Sequence, residues 1–254
     1  MPYFKAKDAK VYYEKRGSGP LLLFISPPGL GAPVFEQQRD LENDYCVVTF
    51  DPRGNGKSES GNNHTSALEN WVEDTADLID HLGGSVILCG YSLGGTPAQI
   101  TALQYPEKVK ALVLINAFPV VNTLLLFVKF KLGIWSSYED LRSVIAKVLS
   151  ISHTKKKDQQ QRISANIKKS SSTVMKKMYK EGKSYDGRVN LPNISCPVFV
   201  VYGSADILTR KYVKDFRRAI PLLSTICIKG GTHQLPTKNA DEMNGAITQI
   251  KNNL

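Results

Sequence analysis

The chain has 254 residues, 42% hydrophobic and 22% charged, enough to bury one substantial core, so a single domain is expected. No apolar run reaches the roughly 18 residues of a membrane span, and no apolar stretch follows the N-terminal lysines, which predicts a soluble, cytoplasmic protein. Cys46, Cys89, Cys196 and Cys227 lie far apart without Cys-x-x-Cys spacing, and no His/Cys/carboxylate cluster has metal-ligand spacing. Reduced core thiols and no metal site are therefore expected. The formal net charge is +10, and it is concentrated: fifteen Lys and Arg against five Asp and Glu fall between Asn116 and Leu191, leaving the remainder neutral.

In chain order, Tyr3–Ala6 and Lys10–Lys15 flank Asp8-Ala9 and predict an antiparallel hairpin. Short runs rich in β-branched residues follow at Leu21–Ile25, Cys46–Phe50, Val86–Cys89, Ala111–Ile115, Val198–Tyr202 and Thr225–Ile228. Such runs suit strands covered on both faces, and they bring the count to eight. Between them, Ala67–Leu82 places Leu68, Trp71, Val72, Ala76, Leu78, Ile79 and Leu82 at mostly helical spacing. Ala98–Leu103, Val213–Ala219 and Glu242–Ile250 also predict helices. This alternation is the pattern of an α/β fold around a mainly parallel sheet. It breaks once, from about Asn116 to Leu191, where helix-like stretches surround a lysine-rich middle and no strand is evident. The predicted organisation is a core of residues 1–115 and 192–254 with an all-helical insertion, a lid, at 116–191.

Gly90-Tyr91-Ser92-Leu93-Gly94 stands directly between a strand and a helix-compatible segment. A serine on so sharp a turn holds strained backbone angles, and small neighbours let the turn close. Its hydroxyl stands clear of the sheet beside a helix N-terminus, where a developing negative charge is favoured. A serine hydroxyl is a weak nucleophile until a base takes its proton, and the base needs an orienting carboxylate. Of the four histidines, His233 lies in a glycine-rich loop after the last predicted strand and is the candidate base. His64 reads as a loop residue, His81 as the end of a helix, and His153 falls in the basic insertion. Asp206 follows the next-to-last strand at its carboxyl end, the same sheet edge as Ser92 and His233. Its other reading is a helix N-cap. The alternative place for the acid, after Ala111–Ile115, holds Asn116, and an amide cannot neutralise an imidazolium.

Three motifs in the order Ser92, Asp206, His233, each after a strand, resemble the α/β-hydrolase fold superfamily. The likeness runs from about residue 3 to residue 250. It implies an eight-stranded, mostly parallel sheet with an antiparallel second strand, and a cap inserted after the sixth. It further implies an oxyanion hole built from the backbone N–H groups of Leu30 and Leu93. The chain departs from the family in reading Pro27-Pro28-Gly29-Leu30 where His-Gly is usual, which removes a side-chain hydrogen bond but neither N–H. The segment Asp51–Ser58 is similar to the family's loop after the fourth strand and reads as a structural turn with Arg53 tied to local carbonyls or carboxylates. Serine at position 92 argues against dehalogenase and epoxide hydrolase activities, which use aspartate there.

The resemblance implies a serine hydrolase working through an acyl-enzyme, most simply a carboxylesterase, with no cofactor. Thioester, lactone and carbon–carbon hydrolysis and perhydrolysis share the triad, and a receptor that keeps the triad as a ligand pocket is the alternative from another class. The expected partner is a small molecule, an apolar acyl or aromatic ester; no nucleic acid is expected, because basic and aromatic residues are not interleaved. Leu30, Tyr91, Leu125 and Phe127 are the predicted substrate contacts, the last two from an apolar stretch of the insertion that would roof Ser92. The lysines of the insertion read first as solvated helix faces. Attraction of anionic substrates, an acidic membrane surface or acyl-thioester phosphates are the other readings.

Overall fold

A computed structural model describes residues 2–62, 66–138 and 141–251; His64 lies outside these. Eight strands form one sheet: β1 (Tyr3–Ala6), β2 (Ala9–Arg16), β3 (Leu21–Ile25), β4 (Cys46–Phe50), β5 (Val86–Tyr91), β6 (Val109–Ile115), β7 (Val198–Gly203) and β8 (Leu223–Ile228). Their order is β1-β2-β4-β3-β5-β6-β7-β8. β2 pairs antiparallel with β1 and β4, and every later pairing is parallel. Parallel pairing sends β3 and β5 to β8 out at one edge, so the loops after β3, β5, β7 and β8 converge there.

The central strands are buried on both faces, which is why they read as unbroken apolar runs rather than alternating ones. On one face lie α1 (Ala67–Leu82) and α2 (Gly95–Gln104), with Trp71, Leu78 and Ala98 in the core. Ser66 caps α1 by accepting the Glu69 N–H, and Gly83, at φ 79°, ends it in the left-handed conformation that favours glycine. On the other face a run of 3₁₀ turns at Ala32–Asn43 packs Phe35 and Leu41 beside Met243 and Ile247 of the C-terminal helix. The 3₁₀ run was not evident in the sequence, because Pro33 and the polar run at 36–40 carry no helical periodicity. Cys46, Cys89 and Cys196 are buried free thiols; Cys227, expected in the core, is exposed because β8 is an edge strand.

Among the described residues four α-helices lie between β6 and β7: α3 (Leu124–Ser136), α4 (Arg142–His153), α5 (Lys157–Lys169) and α6 (Ser172–Ser184). They are pinned to the core at several points. The Glu181 carboxylate of α6 accepts from the Ser66 hydroxyl at 2.9 Å and the Leu68 N–H at 2.8 Å, and so neutralises the positive end of α1. Ser171 N–H donates to the Gly54 carbonyl at 2.7 Å. Asn166 of α5 donates to the Gly29 carbonyl at 3.1 Å. After β7 come α7 (Val213–Ala219), then α8 (Leu235–Lys238) and α9 (Ala240–Lys251). Among the described residues no helix is long and apolar enough to cross a membrane.

Candidate active site

Ser92 sits at φ 52°, one of two non-glycine residues with positive φ among those described, in the turn between β5 and α2. The glycines of its motif are sterically required. A Cβ on Gly90 would lie 2.6 Å from the Gly95 Cα, and one on Gly94 would lie 2.3 Å from the Ile25 carbonyl oxygen. The turn thus presses against the end of β3 and lifts the serine toward the converging loops. There, His233 Nε2 is 2.9 Å from Ser92 Oγ, and His233 Nδ1 is 2.9 Å from Asp206 Oδ2. Because a carboxylate only accepts, Nδ1 carries the proton and Nε2 is left to accept from the serine hydroxyl.

Asp206 is 1% exposed. Burial alone would raise its pKa, but the His233 ring, the Thr209 hydroxyl and the Leu208 N–H outweigh burial and hold the carboxyl below its usual range. Asp206 is not the helix N-cap of its other reading: the next helical turn, Arg210–Tyr212, is preceded by Thr209 at the cap position, and Asp206 accepts instead from the Leu208 and Thr209 N–H groups of the loop. His233 is lowered from the ordinary imidazole value, chiefly by burial and then by the nearby charge of Lys129, against the opposing pull of Asp206.

Asn116, which the sequence marked only as an absent acid, holds the histidine loop in place. It is buried at φ 43°; its amide donates to the Thr232 and His233 carbonyls at 2.9 and 3.0 Å, and its carbonyl oxygen accepts from Gly203 N–H at 3.0 Å. The Tyr91 hydroxyl donates to the same His233 carbonyl at 3.1 Å. On the opposite wall, Gly29 N–H donates to Asn55 Oδ1 at 2.6 Å, so the loop after β3 is braced by Asn55 and Asn166. Leu30 N–H is not free: it donates to the Pro27 carbonyl over 3.3 Å, a long bond for this type. Arg53 is a structural residue, with Nε and Nη2 each 2.6 Å from the Asp74 carboxylate and Nη1 2.8 Å from Asp8.

Beside Ser92 is a cavity of about 210 Å³ whose walls include Leu30, Tyr91, Leu93 and His233. A cavity of roughly 150 Å³ holds a benzene ring, so this one takes an aryl group or a short acyl chain. Its roof corrects the sequence reading. Leu125 and Phe127 are not in it: they are 46% and 40% exposed on the outer side of α3. The roof is made by Leu126, Lys129 and Phe130 of α3 and by Leu149, Ser152 and His153 of α4. α3 is apolar on nearly every side, so periodicity could not choose its inner face. Gly133 was the available signal: with Leu126 and Phe130 it forms an i, i+4, i+7 row, and a Cβ there would lie 2.6 Å from the Tyr179 ring of α6. His153 is 7% exposed, its Nδ1 2.8 Å from the Leu149 carbonyl, and burial lowers its pKa to about 4.

A second cleft, between β2, β4 and α5, holds many charges, most of them already engaged: Arg162 with Glu36 at 2.6 Å, Arg39 with Glu14 at 3.5 Å, and Asp51 with the Ala32 N–H at 2.9 Å. No group of His, Cys, Asp and Glu among the described residues could hold a metal ion.

Residues 20–144 match the family described as alpha/beta hydrolase fold. Epoxide hydrolase 4 of Mus musculus is 33% identical over 46% of this chain, a stretch that spans 34% of the mouse protein. A pimeloyl-[acyl-carrier protein] methyl ester esterase of Nitrosomonas europaea is 26% identical over 82% of this chain and 86% of its own length. Among solved structures, a thermophilic esterase from Thermogutta terrifontis superposes with a TM-score of 0.84 at 20% identity, covering 100% of this chain and 99% of the esterase. The eight-stranded, mostly parallel sheet and the full-length superposition give this chain the α/β-hydrolase fold.

Proposed function

We propose that the protein is a serine hydrolase that cleaves carboxylic esters through an acyl-enzyme, with the helices of residues 116–191 acting as a cap over the substrate. The observation that carries this reading is the unbroken relay from Ser92 Oγ through both nitrogens of His233 to Asp206. Ser92 attacks the ester carbonyl while His233 takes its proton; the protonated ring then gives that proton to the leaving alcohol. Water repeats the sequence on the acyl-enzyme and restores Ser92. Asp206 fixes the ring and stabilises its cation. Leu93 N–H and Leu30 N–H receive the oxyanion, the latter by exchanging its long bond to Pro27 for a stronger, charge-assisted one.

The likeness to epoxide hydrolase 4 covers under half of the chain, and a serine nucleophile favours acyl transfer over epoxide opening. Thioesters share the same chemistry. Fluorophosphonate labelling and turnover of p-nitrophenyl esters test the reading: Ser92→Ala is expected to abolish labelling and lower kcat by about 10⁴-fold or more. Wild-type protein that binds small esters but neither labels nor turns over would be a receptor instead.

A further inference from the structure

Lys129 stands out in the cavity. It projects from the inner side of α3 beside His153 and His233, within the electrostatic reach of Asp206. Its side chain is solvent-exposed where it lines the cavity, yet the surrounding protein is dense enough to lower its pKa to about 8. Among the described residues no hydrogen bond or ion pair reaches its ammonium, and Asp206, whose charge it feels, is already engaged by His233 and Thr209. The cavity is otherwise mainly apolar, formed by leucines, prolines and aromatic rings. An unpaired cation in such a place attracts whatever anion enters. We propose, on the hydrolase reading above, that Lys129 binds a carboxylate carried by the substrate, so that the preferred ester is a half-ester of a dicarboxylic acid rather than a neutral one.

Monomethyl adipate against methyl hexanoate, equal in acyl length and differing in the terminal charge, tests this. Wild type is expected to favour the adipate ester in kcat/KM by about 10- to 100-fold, the scale of one hydrogen bond to a charged group. Lys129→Met should lower that ratio toward unity, and Lys129→Arg should keep most of it. Equal use of the two esters by wild type, or an unchanged ratio in Lys129→Met, overturns the subsite and leaves the hydrolase standing. Failure on both esters without fluorophosphonate labelling of Ser92 overturns both readings together. Where Ser92 labels but neither ester is cleaved, free adipate must slow labelling of wild type and not of Lys129→Met, or the subsite is wrong.

The outer side of the same helices supports an independent inference. Nine of the fourteen large hydrophobic side chains exposed among the described residues sit on α3 and α4. Leu124, Val128 and Trp135 form one stripe along α3, and Val144, Val148 and Ile151 another along α4, at i, i+4, i+7 or longer helical spacing. Lysines border them: Lys131 and Lys183 lie 5.6 and 5.4 Å from the Phe127 ring centroid, and Lys147 interrupts the α4 stripe. Residues 116–191 carry the whole positive excess of the chain, with Lys131, Arg142 and Lys147 on α3 and α4 themselves and most of the remaining cations on α5 and α6. Apolar side chains framed by cations match the boundary of an anionic bilayer, where the chains enter the acyl region and the lysines meet phosphates. We infer that the outer faces of α3 and α4 dock on an anionic lipid surface.

Trp71 is fully buried while Trp135 is 53% exposed, so a change in tryptophan emission on docking reports Trp135. Vesicles of phosphatidylcholine with phosphatidylglycerol are expected to sediment the protein and shift its emission to the blue. Pure phosphatidylcholine vesicles should bind it about tenfold less or weaker, and high salt should release it. Leu124→Glu with Val128→Glu should abolish sedimentation while circular dichroism stays native. No sedimentation with anionic vesicles, or equal binding to neutral ones, overturns the inference. So does a stable dimer in lipid-free buffer that the double variant dissolves, because a second copy would then cover the face.

Discussion

At the scale of single residues, two histidines and one lysine set the response to pH. His233 works as a base only when neutral, so kcat/KM should rise through its pKa, which burial and Lys129 hold below the ordinary value of about 6.5. Lys129→Met removes one of those depressing influences, and the acid limb of the profile should move to higher pH. An unmoved limb would mean that the two groups are not electrostatically coupled. His153 makes a separate prediction. Its folded pKa of about 4 lies below that of the unfolded chain, so the unfolded state binds more protons as pH falls from about 6.5 toward 4. Its contribution is intact above pH 6.5 and is lost through that window, with a slope of up to about 1.4 kcal/mol per pH unit. Denaturant titrations should find this slope reduced in His153→Gln. The sequence showed Ser92, Asp206 and His233 because strand, turn and order mark them. Lys129 and His153 were hidden, because packing of α3 and α4 against the sheet edge brings them to the site; Asn116 was placed there as an absent acid, and only the fold shows its amide holding the histidine loop.

At the scale of elements, the strands were legible to within a few residues because burial on both faces makes them continuous apolar runs. α1 was legible to the residue, with its apolar stripe and with Gly83 beyond its end. α3 was legible as an apolar stretch of the segment between β6 and β7, but neither its bounds nor its orientation was. Its two sides are equally apolar, and only one of them meets the protein. Glu181 shows how an inserted helix can also complete a core one. Glu181→Ala leaves the Ala67 and Leu68 N–H groups without their acceptor at the start of α1, and a loss of about 1–2 kcal/mol is expected in urea unfolding. Glu181→Gln keeps an acceptor oxygen and should lose less. Equal losses for the two would assign the effect to packing rather than to the helix terminus.

At the scale of the molecule, two apolar cores lie on opposite faces of one sheet, and the first continues into the insertion through Leu126, Phe130, Val174 and Met178. The helices between β6 and β7 therefore share the core of the sheet, and heating should give a single cooperative transition by circular dichroism and by tryptophan emission alike. An earlier transition seen only in tryptophan emission would show α3 opening independently. The attachments at Gly29, Gly54 and the start of α1, with the Thr237 hydroxyl donating to the His153 carbonyl at 2.7 Å, reach loops far apart in the chain. A chimera that swapped residues 116–191 for those of a relative would strand partners in all of these places at once. Selectivity in this protein should yield to point changes on the inner faces of α3 and α4, and resist transplantation of the whole segment.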